Sequence, residues 1–230
     1  MIDIHSHIIF NVDDGSESFD ETLKMLEEAK SVGVETVFAT PHFMDHVLNP
    51  DKTMNNFKML LDKACEIGVD VKLGFEVILH PLLLKRIEIA EQHTMNETEY
   101  ILVEFPFNSS FDLSRKVLSQ IQKRGLIPII AHPERIEVLM KKRRLIRELK
   151  ESGCLIQVNV GSITGFYGEK ARTVVQQIIE DKLADFIASD AHKTGYYDRY
   201  LKSFHIVAGW TDEEYAENLF KTNAQRLLSN

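Results

Sequence analysis

Seven short apolar segments, separated by longer segments with helical periodicity, constrain the fold of this chain more than any other feature. The predicted strands lie at residues 2–5, 36–40, 71–75, 100–104, 127–131, 155–158 and 186–189. Nearly continuous apolar runs of this kind are typical of parallel strands that are buried on both faces. Helical patterns alternate with them at about 18–32, 51–67, 111–124, 137–151, 169–182 and 212–228, with a short segment near 82–90.

Local signals support these boundaries. Ser18 and Glu21 form a capping-box pattern at the start of the first predicted helix. Glycines mark four predicted helix ends just before the next strand: Gly33, Gly68, Gly125 and Gly153. A repeated strand–helix unit predicts a parallel sheet, either doubly wound or closed into a barrel. Because no Gly/Ser-rich linker interrupts the pattern, we expect a single domain over residues 1–230.

Polar or metal-binding side chains lie at or just past the carboxyl end of every predicted strand. They are His5 and His7, His42, Glu76, Glu104, His132, Asn159, and Asp190 with His192. A barrel brings the carboxyl ends of all its strands to one face, whereas an open sheet would spread them along an edge. The pattern therefore favours an α/β barrel of seven strands. The remaining histidines, which do not fit this register, are His46, His80, His93 and His205.

These side chains predict a metal site. His5 and His7 are two residues apart on a strand, so their imidazoles point to the same side. Asp14 in the following loop is the expected additional ligand, with Asp13 as the alternative. The five histidines and four carboxylates are too many for one ion, so we expect two or three divalent ions. The absence of thiolate ligands suits zinc, manganese or iron rather than a closed structural zinc site.

The expected charge of the site indicates a phosphate substrate. Three divalent ions would outweigh the four carboxylates, so the site would attract a dianion such as a phosphate monoester. Arg135 and Arg199 could each grip phosphate oxygens, although a surface ion pair remains the alternative for either. A metal-activated hydroxide would attack phosphorus, and a protonated group would assist the leaving oxygen.

Other chemistries do not fit the sequence. A Cys-x5-Arg phosphatase loop would need an arginine six residues after a cysteine, but Val71 and Val160 occupy those positions. The adjacent aspartates Asp13 and Asp14 do not form the alternating pair of an Asp-x-Asp nucleophile loop, and there is no Walker A loop. The two cysteines, Cys65 and Cys154, are expected to be small buried residues rather than a disulfide.

Composition and hydropathy restrict partners and location. The formal charge of −8 argues against general nucleic-acid binding, and the basic run 141–144 is expected on a solvated helix face. No apolar run approaches the ~18 residues that span a bilayer, and the start of the chain lacks the features of a signal peptide. We therefore expect a cytoplasmic protein without membrane insertion.

Seven motifs in order carry a resemblance to a known family. They are Asp3-Ile4-His5-Ser6-His7, Asp13-Asp14-Gly15, Ala39-Thr40-Pro41-His42, Gly74-Phe75-Glu76, Glu104-Phe105-Pro106, Ala131-His132-Pro133-Glu134-Arg135 and Ser189-Asp190-Ala191-His192. Over essentially its whole length, the chain resembles the polymerase and histidinol phosphatase (PHP) superfamily. Within it, the chain is similar to the bacterial metal-dependent protein-tyrosine phosphatases of capsule and exopolysaccharide operons.

The resemblance implies a distorted (β/α)7 barrel that holds two or three ions, with manganese expected and iron, zinc or magnesium as alternatives. It places nine residues in the metal shell: His5, His7, Asp14, His42, Glu76, Glu104, His132, Asp190 and His192. It also places Arg135 and a later arginine on the phosphate, with Asp14 and His42 among the catalytic groups. The implied substrate is phosphotyrosine on the C-terminal tail of a bacterial tyrosine kinase that controls polysaccharide export.

The sequence departs from the family pattern at two places. The segment Ile8-Ile9-Phe10-Asn11 stands where relatives carry Leu-Pro-Gly, which is expected to alter the shape of the loop. Arg199 stands seven residues after His192, farther than the corresponding arginine of relatives.

Four aromatic residues could stack on a phenyl ring: Phe43, Phe107, Tyr167 and Tyr196. Two alternatives remain beside a phosphotyrosine phosphatase. One is a PHP phosphomonoesterase that acts on a small metabolite such as histidinol phosphate. The other is a non-catalytic regulator that binds the kinase. The sequence does not indicate an oligomeric state.

Overall fold

The structure is a computed structural model that describes residues 1–43, 48–106 and 110–229. The described ranges contain nine strands. These are β1 (Ile2–Ser6), β2 (Thr36–Ala39), β3 (His42–Phe43), β4 (Asp70–Leu73), β5 (Glu76–Ile78), β6 (Tyr100–Glu104), β7 (Ile127–Ile130), β8 (Leu155–Asn159) and β9 (Phe186–Ala188).

Helices follow most of these strands. The α-helices are α1 (Phe19–Ser31), α2 (Pro50–Ile67), α3 (Phe111–Lys123), α4 (Glu137–Lys141), α5 (Arg144–Glu151), α6 (Val160–Ile163), α7 (Glu169–Glu180), α8 (Tyr200–Trp210) and α9 (Glu213–Glu217). Short 3-10 helices lie at Pro81–Lys85, Ile87–Gln92, Met95–Glu97, Pro133–Arg135, Tyr197–Arg199 and Asn223–Leu227, and a π-helical segment at Asn218–Thr222.

The local signals act as expected at the first two helices. The Ser18 side chain accepts a hydrogen bond from the Glu21 N–H at the start of α1. Asn49 caps α2 in the same way and is followed by Pro50, a residue favoured in the first helical turn. At the other end of α2, Gly68 adopts a left-handed conformation with φ of 83°. These ends fix where each helix returns the chain to the sheet.

All paired strands are parallel, and they form a ring of seven positions. One sheet has the order β1-β2-β4 and the other β3-β5-β6-β7-β8-β9. β2 and β3, and likewise β4 and β5, are consecutive parts of one strand position separated by a short break. The ring closes where Ser6 of β1 bridges to Ala191, just past β9. The predicted distorted seven-stranded α/β barrel is confirmed.

The breaks in the second and third strand positions were not predicted. Pro41 stands between β2 and β3, and it has no N–H to donate to a neighbouring strand. Gly74 stands between β4 and β5, where an added Cβ would lie 2.6 Å from Met95 Sδ. The strands are therefore interrupted at both positions, and the predicted strands 36–40 and 71–75 end earlier than expected.

The helical predictions also needed correction at four places. The predicted helix 137–151 is divided into α4 and α5, because the basic run at 141–144 adds no apolar residue to a helix stripe. The predicted helix 212–228 consists of α9, the π-helical segment and a 3-10 helix, and the segment near 82–90 forms two 3-10 helices. Helix α8 was missed, since Arg199 at its start provides no side-chain cap. The basic run itself is exposed, as predicted.

The strands are buried on both faces, as their apolar runs predicted. Val37 and Ala39 belong to the large apolar cluster that the helices complete, whereas Phe38 between them belongs to a second cluster. That second cluster also contains Ala224 and Leu227 of the C-terminal segment. Since neighbouring strand residues enter different clusters, both sides of the sheet are covered.

The two cysteines are free. Cys154 is buried, as expected, and its burial raises the pKa of its thiol. The prediction that Cys65 is buried is wrong. Its neighbour Ala64 lies on the buried stripe of α2, and one further residue turns Cys65 out of that stripe into solvent. Within the described ranges, no helix is both long enough and apolar enough to cross a membrane.

Candidate metal centre

The nine side chains predicted to bind metal converge at one end of the barrel. They come from β1 and the loop after it, the starts of β3 and β5, the end of β6, and the loops after β7 and β9. Their ligand atoms form four overlapping groups, each within 4.8 Å: His7 with Asp14, His42 and His192; His5 with His7 and Asp190; His5 with Glu76 and His132; and His42 with Glu76 and Glu104.

Two of the nine residues reach the centre differently from the sequence prediction. His42 and Glu76 were expected just past the ends of continuous strands, but each is the first residue of a short strand after a break. In the parallel pairing of β3 with β5, His42 lies directly opposite Glu76. The breaks at Pro41 and Gly74 therefore bring these two side chains together.

Four donor atoms surround one point at the middle of the site. His5 Nε2 lies 3.2 Å from His7 Nε2, 3.3 Å from Glu76 Oε2 and 3.4 Å from Asp190 Oδ1. His7 Nε2 lies 3.5 Å from each of the same two carboxylate oxygens. Ligands about 2.1 Å from a tetrahedral ion are separated by about 3.4 Å. The spacing of these atoms therefore fits the coordination of one divalent ion.

Glu76 connects this point with a second group of donors. Its Oε1 lies 3.0 Å from His132 Nε2, and its Oε2 lies 2.9 Å from His42 Nδ1. Glu104 contributes Oε1 at 3.8 Å from His132 Nε2 and Oε2 at 4.0 Å from His42 Nδ1. Glu76 would therefore contribute to both donor groups, the one with His5 and His132 and the one with His42 and Glu104.

The two aspartates that the sequence left as alternatives have different contacts, and only Asp14 belongs to the donor group with His42 and His192. Asp14 Oδ1 lies 3.4 Å from His42 Nε2 and 3.6 Å from His192 Nε2. Its side chain is 67% exposed, so this is the side of the centre that solvent reaches. Asp13 instead accepts hydrogen bonds from His7 Nδ1–H at 2.8 Å and from the His42 backbone N–H at 3.0 Å. Asp13 thus orients an imidazole, and Asp14 lies among the donors.

The charges of the centre are strongly coupled. Burial alone would raise the pKa of Glu76, but the imidazoles of His5, His132 and His42 hold it well below its ordinary value. Burial opposes protonation of His5, yet Glu76 and Asp190 raise its pKa to about 9. For Asp13, burial acts upward but the hydrogen bond from His7 lowers the pKa to about 2. The His5 imidazole thus lies between two carboxylates, where an ion could replace its proton.

Buried polar atoms without aligned partners support the same fit. His42 Nδ1, Glu76 Oε2 and His132 Nδ1 are buried and make no hydrogen bond of acceptable geometry within the part of the chain that the structure describes. Leaving such atoms unsatisfied costs about 1–3 kcal/mol each. A cation coordinated at the first two atoms would remove that cost, so the donor set suits metal ions.

Two residues of the centre have backbone conformations that side chains rarely adopt. His132, directly after β7, has φ of 32°, and Asp190, after β9, has φ of 52°. Left-handed conformations of non-glycine residues cost on the order of 1–3 kcal/mol and concentrate at functional sites. At both positions the turn directs a ligand-type side chain into the centre.

Comparison with known proteins agrees with this geometry. The family model described as capsular polysaccharide synthesis, CpsB/CapC, matches residues 1–229. The chain belongs to the CpsB/CapC family. It is 31% identical to the tyrosine-protein phosphatase CpsB of Streptococcus pneumoniae, over 99% of this chain and 98% of the relative. It is 32% identical to the tyrosine-protein phosphatase YwqE of Bacillus subtilis, over 100% of this chain and 92% of the relative.

A solved structure of the CpsB/CapC family has the same fold. It comes from the crystallographic study of YwqE from Bacillus subtilis and CpsB from Streptococcus pneumoniae, described there as unique metal-dependent tyrosine phosphatases. The TM-score is 0.87 at 29% identity, and the alignment covers 99% of this chain and 94% of the solved chain. The family resemblance inferred from the sequence motifs is confirmed.

A hydrogen-bonded chain on β8 supports the donors in this member of the CpsB/CapC family, and sequence reasoning found only part of it. His5 Nδ1–H donates to Gln157 Oε1 at 3.0 Å, Gln157 Nε2 donates to Asn159 Oδ1, and Asn159 Nδ2 donates to Asp190 Oδ2, the last two at 2.7 Å. Such partners fix the orientation of ligating side chains. Gln157 was missed, although a glutamine in an otherwise apolar strand, two residues before Asn159, was a usable signal.

The two arginines lie at different distances from the centre. Arg135 donates from Nη1 to Asp190 Oδ2 at 2.6 Å, and its guanidinium lies 4.2 Å from the ring centroid of Tyr167. Burial alone would lower the pKa of Arg135, but the charge of Asp190 outweighs this effect and raises the pKa above its ordinary value. Arg199 donates to the Gly195 carbonyl at 2.8 Å, and its guanidinium lies 5.6 Å from the ring centroid of Tyr196, which lies 6.2 Å from that of His192. Arg135 therefore adjoins the centre directly, and Arg199 stands one residue farther out.

The remaining candidates differ in how close they lie to the centre. Phe43 is buried against the ring of His93, with centroids 3.6 Å apart, so it offers no open surface. Tyr167 and Tyr196 border the centre, and Phe166, which sequence reasoning missed, lies between them. Phe107 and His46 lie outside the described residues. The other histidines outside the four donor groups are His80, His93 and His205.

Proposed function

We propose that this chain is a metal-dependent protein-tyrosine phosphatase that hydrolyses phosphotyrosine on a bacterial tyrosine kinase of capsule or exopolysaccharide synthesis. The convergence of nine imidazole and carboxylate donors beside Arg135 is the observation that carries the proposal. The names of the CpsB and YwqE relatives support tyrosine phosphatase activity and metal dependence. We further propose that residues 1–230 act as one domain, in the cytoplasm.

The donor groups suggest two or three divalent ions. His5, His7, Glu76 and Asp190 would hold the innermost ion. The outer donors would hold the others: Glu104 and His132 with Glu76, and Asp14 with His42 and His192. Manganese is the proposed metal, with iron, zinc and magnesium as alternatives that the same imidazole and carboxylate set can accept.

Ions in such a site supply a nucleophilic hydroxide at neutral pH and neutralise phosphate charge. The protein provides the remaining functions. Arg135, oriented by Asp190 and supported on Tyr167, binds a non-bridging phosphate oxygen with its planar guanidinium. Arg199, whose guanidinium lies 5.6 Å from the ring centroid of Tyr196, is the proposed second arginine for the anion. Asp14 and His42 lie on the exposed side, and whichever of the two does not hold an ion would deliver a proton to the leaving phenolic oxygen.

The test is turnover of a phosphotyrosyl peptide by metal-loaded protein, measured as released phosphate. We expect activity with added manganese that is lost in His42→Ala and His132→Ala. His205→Ala, at an exposed position on α8 outside the donor groups, serves as the matched control and should retain activity. Metal analysis by mass spectrometry of each variant separates loss of ions from loss of chemistry.

A substrate panel distinguishes the alternatives. Turnover of histidinol phosphate or nucleotide monophosphates without turnover of phosphotyrosyl peptides would favour a small-metabolite phosphomonoesterase and refute the proposed substrate. A metal-replete protein that is inert on every phosphoester would favour a regulator that binds the kinase without catalysis. The complete set of nine donors argues against that outcome, since a non-catalytic protein has no need to retain them.

A further inference from the structure

Three aromatic side chains, Phe166, Tyr167 and Tyr196, form what we call the aromatic wall. The ring centroid of Phe166 lies 5.1 Å from that of Tyr167 and 6.0 Å from that of Tyr196, with an interplanar angle of 68° in both pairs. Edge-to-face packing of this kind is a favourable arrangement of aromatic rings. Arg199 adds a third contact to Phe166, because its guanidinium lies 4.1 Å from the Phe166 centroid. Phe166 is therefore held by three neighbours.

Two independent paths connect the aromatic wall to the candidate metal centre. At one end, the ring centroid of Tyr196 lies 6.2 Å from that of His192. At the other end, Tyr167 lies under the guanidinium of Arg135, which donates to Asp190. The phenylalanine between the two tyrosines thus borders the centre on the side where the proposed phosphate-binding arginine stands.

Phe166 is held by its neighbours and still open to solvent. It is 51% exposed, and the other large apolar side chains with comparable exposure in the described ranges are all methionine or leucine. An exposed single apolar residue is common on protein surfaces. This one differs because its ring orientation is fixed by aromatic and cationic contacts and because it adjoins a site for phosphate. Little further ordering is needed for a second ring to pack against it.

We propose that Phe166 is the specificity-determining residue that contacts the phenyl ring of the substrate, so that aryl phosphates are preferred over alkyl phosphates. This inference rests on the proposed function, since it assumes that the phosphate enters the metal centre beside Arg135. A phosphotyrosyl group carries a ring next to its phosphate, whereas a phosphoseryl group has none to place on Phe166. An aromatic pair of this type corresponds to about a two- to tenfold preference.

Binding of two non-hydrolysable ligands to the metal-loaded protein tests the contact directly. Isothermal titration would give the Kd of phenylphosphonate and of methylphosphonate, which share the anionic group and differ in the ring. We expect the preference for phenylphosphonate to fall about two- to tenfold in Phe166→Ala. Phe166→Leu, which keeps an apolar side chain without a π system, should lose part of the preference. Leu201→Ala, at a position that is 44% exposed on α8, is the matched control and should keep it.

Kinetics provide the second measurement. The ratio of kcat/KM for phenyl phosphate to that for ethyl phosphate should fall by the same factor in Phe166→Ala as the binding preference. Dividing by the ratio in the unchanged protein cancels the different leaving groups. The proposal would be overturned if Phe166→Ala reduced affinity and kcat/KM equally for aryl and alkyl ligands. It would also be overturned if the aryl-to-alkyl ratios were unchanged in both experiments.

A third outcome separates ring recognition from a contact with the rest of a protein substrate. If Phe166→Ala weakens binding of a phosphotyrosyl peptide but not binding of phenylphosphonate, the residue contacts the flanking peptide and the proposal is wrong. Failure of the proposed function has a different signature. In that case the unchanged protein hydrolyses no phosphoester with any ion, while a Phe166-dependent preference for phenylphosphonate would still support the aryl site.

Discussion

Substitution of Gly161 by alanine is expected to disturb the support of Arg135 with little effect on the backbone. Gly161 lies in α6, and an added Cβ would lie 2.5 Å from Tyr167 Cε2, 3.0 Å from Cδ2 and 3.1 Å from Cζ. Carbon atoms pack at about 3.5–4.0 Å, so the ring must move by about 1 Å. Overpacking costs about 1–3 kcal/mol, whereas alanine in a helix gains about 1 kcal/mol over glycine. We expect a net destabilisation of about 0–2 kcal/mol.

The effect on activity should be larger than the effect on stability. The Tyr167 ring lies 4.2 Å from the Arg135 guanidinium, so a shift of the ring removes the surface that holds the arginine. A misplacement of about 1 Å in a positioned group can reduce the rate about 100-fold. We therefore expect kcat/KM for a phosphotyrosyl peptide to fall about 10- to 100-fold in Gly161→Ala.

Denaturant unfolding and steady-state kinetics measure the two effects, and two further variants make the result decisive. Gly209→Ala in α8 is the matched control, since an added Cβ there has no neighbour within 4 Å in the described chain. It should be stabilised by up to about 1 kcal/mol and keep its activity. In a Tyr167→Ala background, Gly161→Ala should have almost no further effect on kcat/KM. An equal loss in both backgrounds would refute the argument that the glycine acts through the tyrosine.

Two other predictions follow from the buried polar groups. Asp3→Asn should destabilise the protein by about 1–3 kcal/mol in denaturant unfolding. The buried carboxylate accepts hydrogen bonds from Ser189 Oγ–H, the Ser189 N–H and Tyr197 O–H, and an amide would present a donor to one of them. A change in the free energy of unfolding below about 0.5 kcal/mol would contradict this. Manganese at about 100 times its Kd should add about 2.7 kcal/mol to the free energy of unfolding and raise Tm by roughly 5–10 °C over the EDTA-treated protein. The rise in Tm should be smaller in His42→Ala. An unchanged Tm with every divalent ion would argue against a metal centre.

The sequence was sufficient to predict the strand positions and the residues that meet at their ends, since burial periodicity and the parallel topology act over short segments. The break at Gly74 was not predicted, because it depends on a close approach of Met95, whereas Pro41 was a local signal that was not used. The same limit applies to α8, whose start has no local capping signal. What the sequence predicted well is what local chemistry determines.

The candidate site illustrates the limit more sharply. Asp13 and Asp14 are adjacent and chemically identical, so the sequence left them as alternatives. In the structure the loop turns one toward His7 Nδ1 and the other toward His42 and His192. Phe166 was missed because an exposed phenylalanine in a loop has no distinguishing pattern, and its position beside Arg199 arises only when distant segments meet.

Asp190 connects the two functions that the site must combine. Its Oδ1 faces His5 and His7, where an ion would lie, and its Oδ2 accepts hydrogen bonds from Arg135 and Asn159. An ion at Oδ1 would withdraw negative charge from the carboxylate and so weaken its attraction for the Arg135 guanidinium. Arg135 would then be freer to bind a phosphate anion after metal has bound than before. The placement of one carboxylate between the two groups therefore couples the two binding events: bound metal would raise the affinity for the phosphate anion, and bound phosphate would raise the affinity for the metal by the same factor.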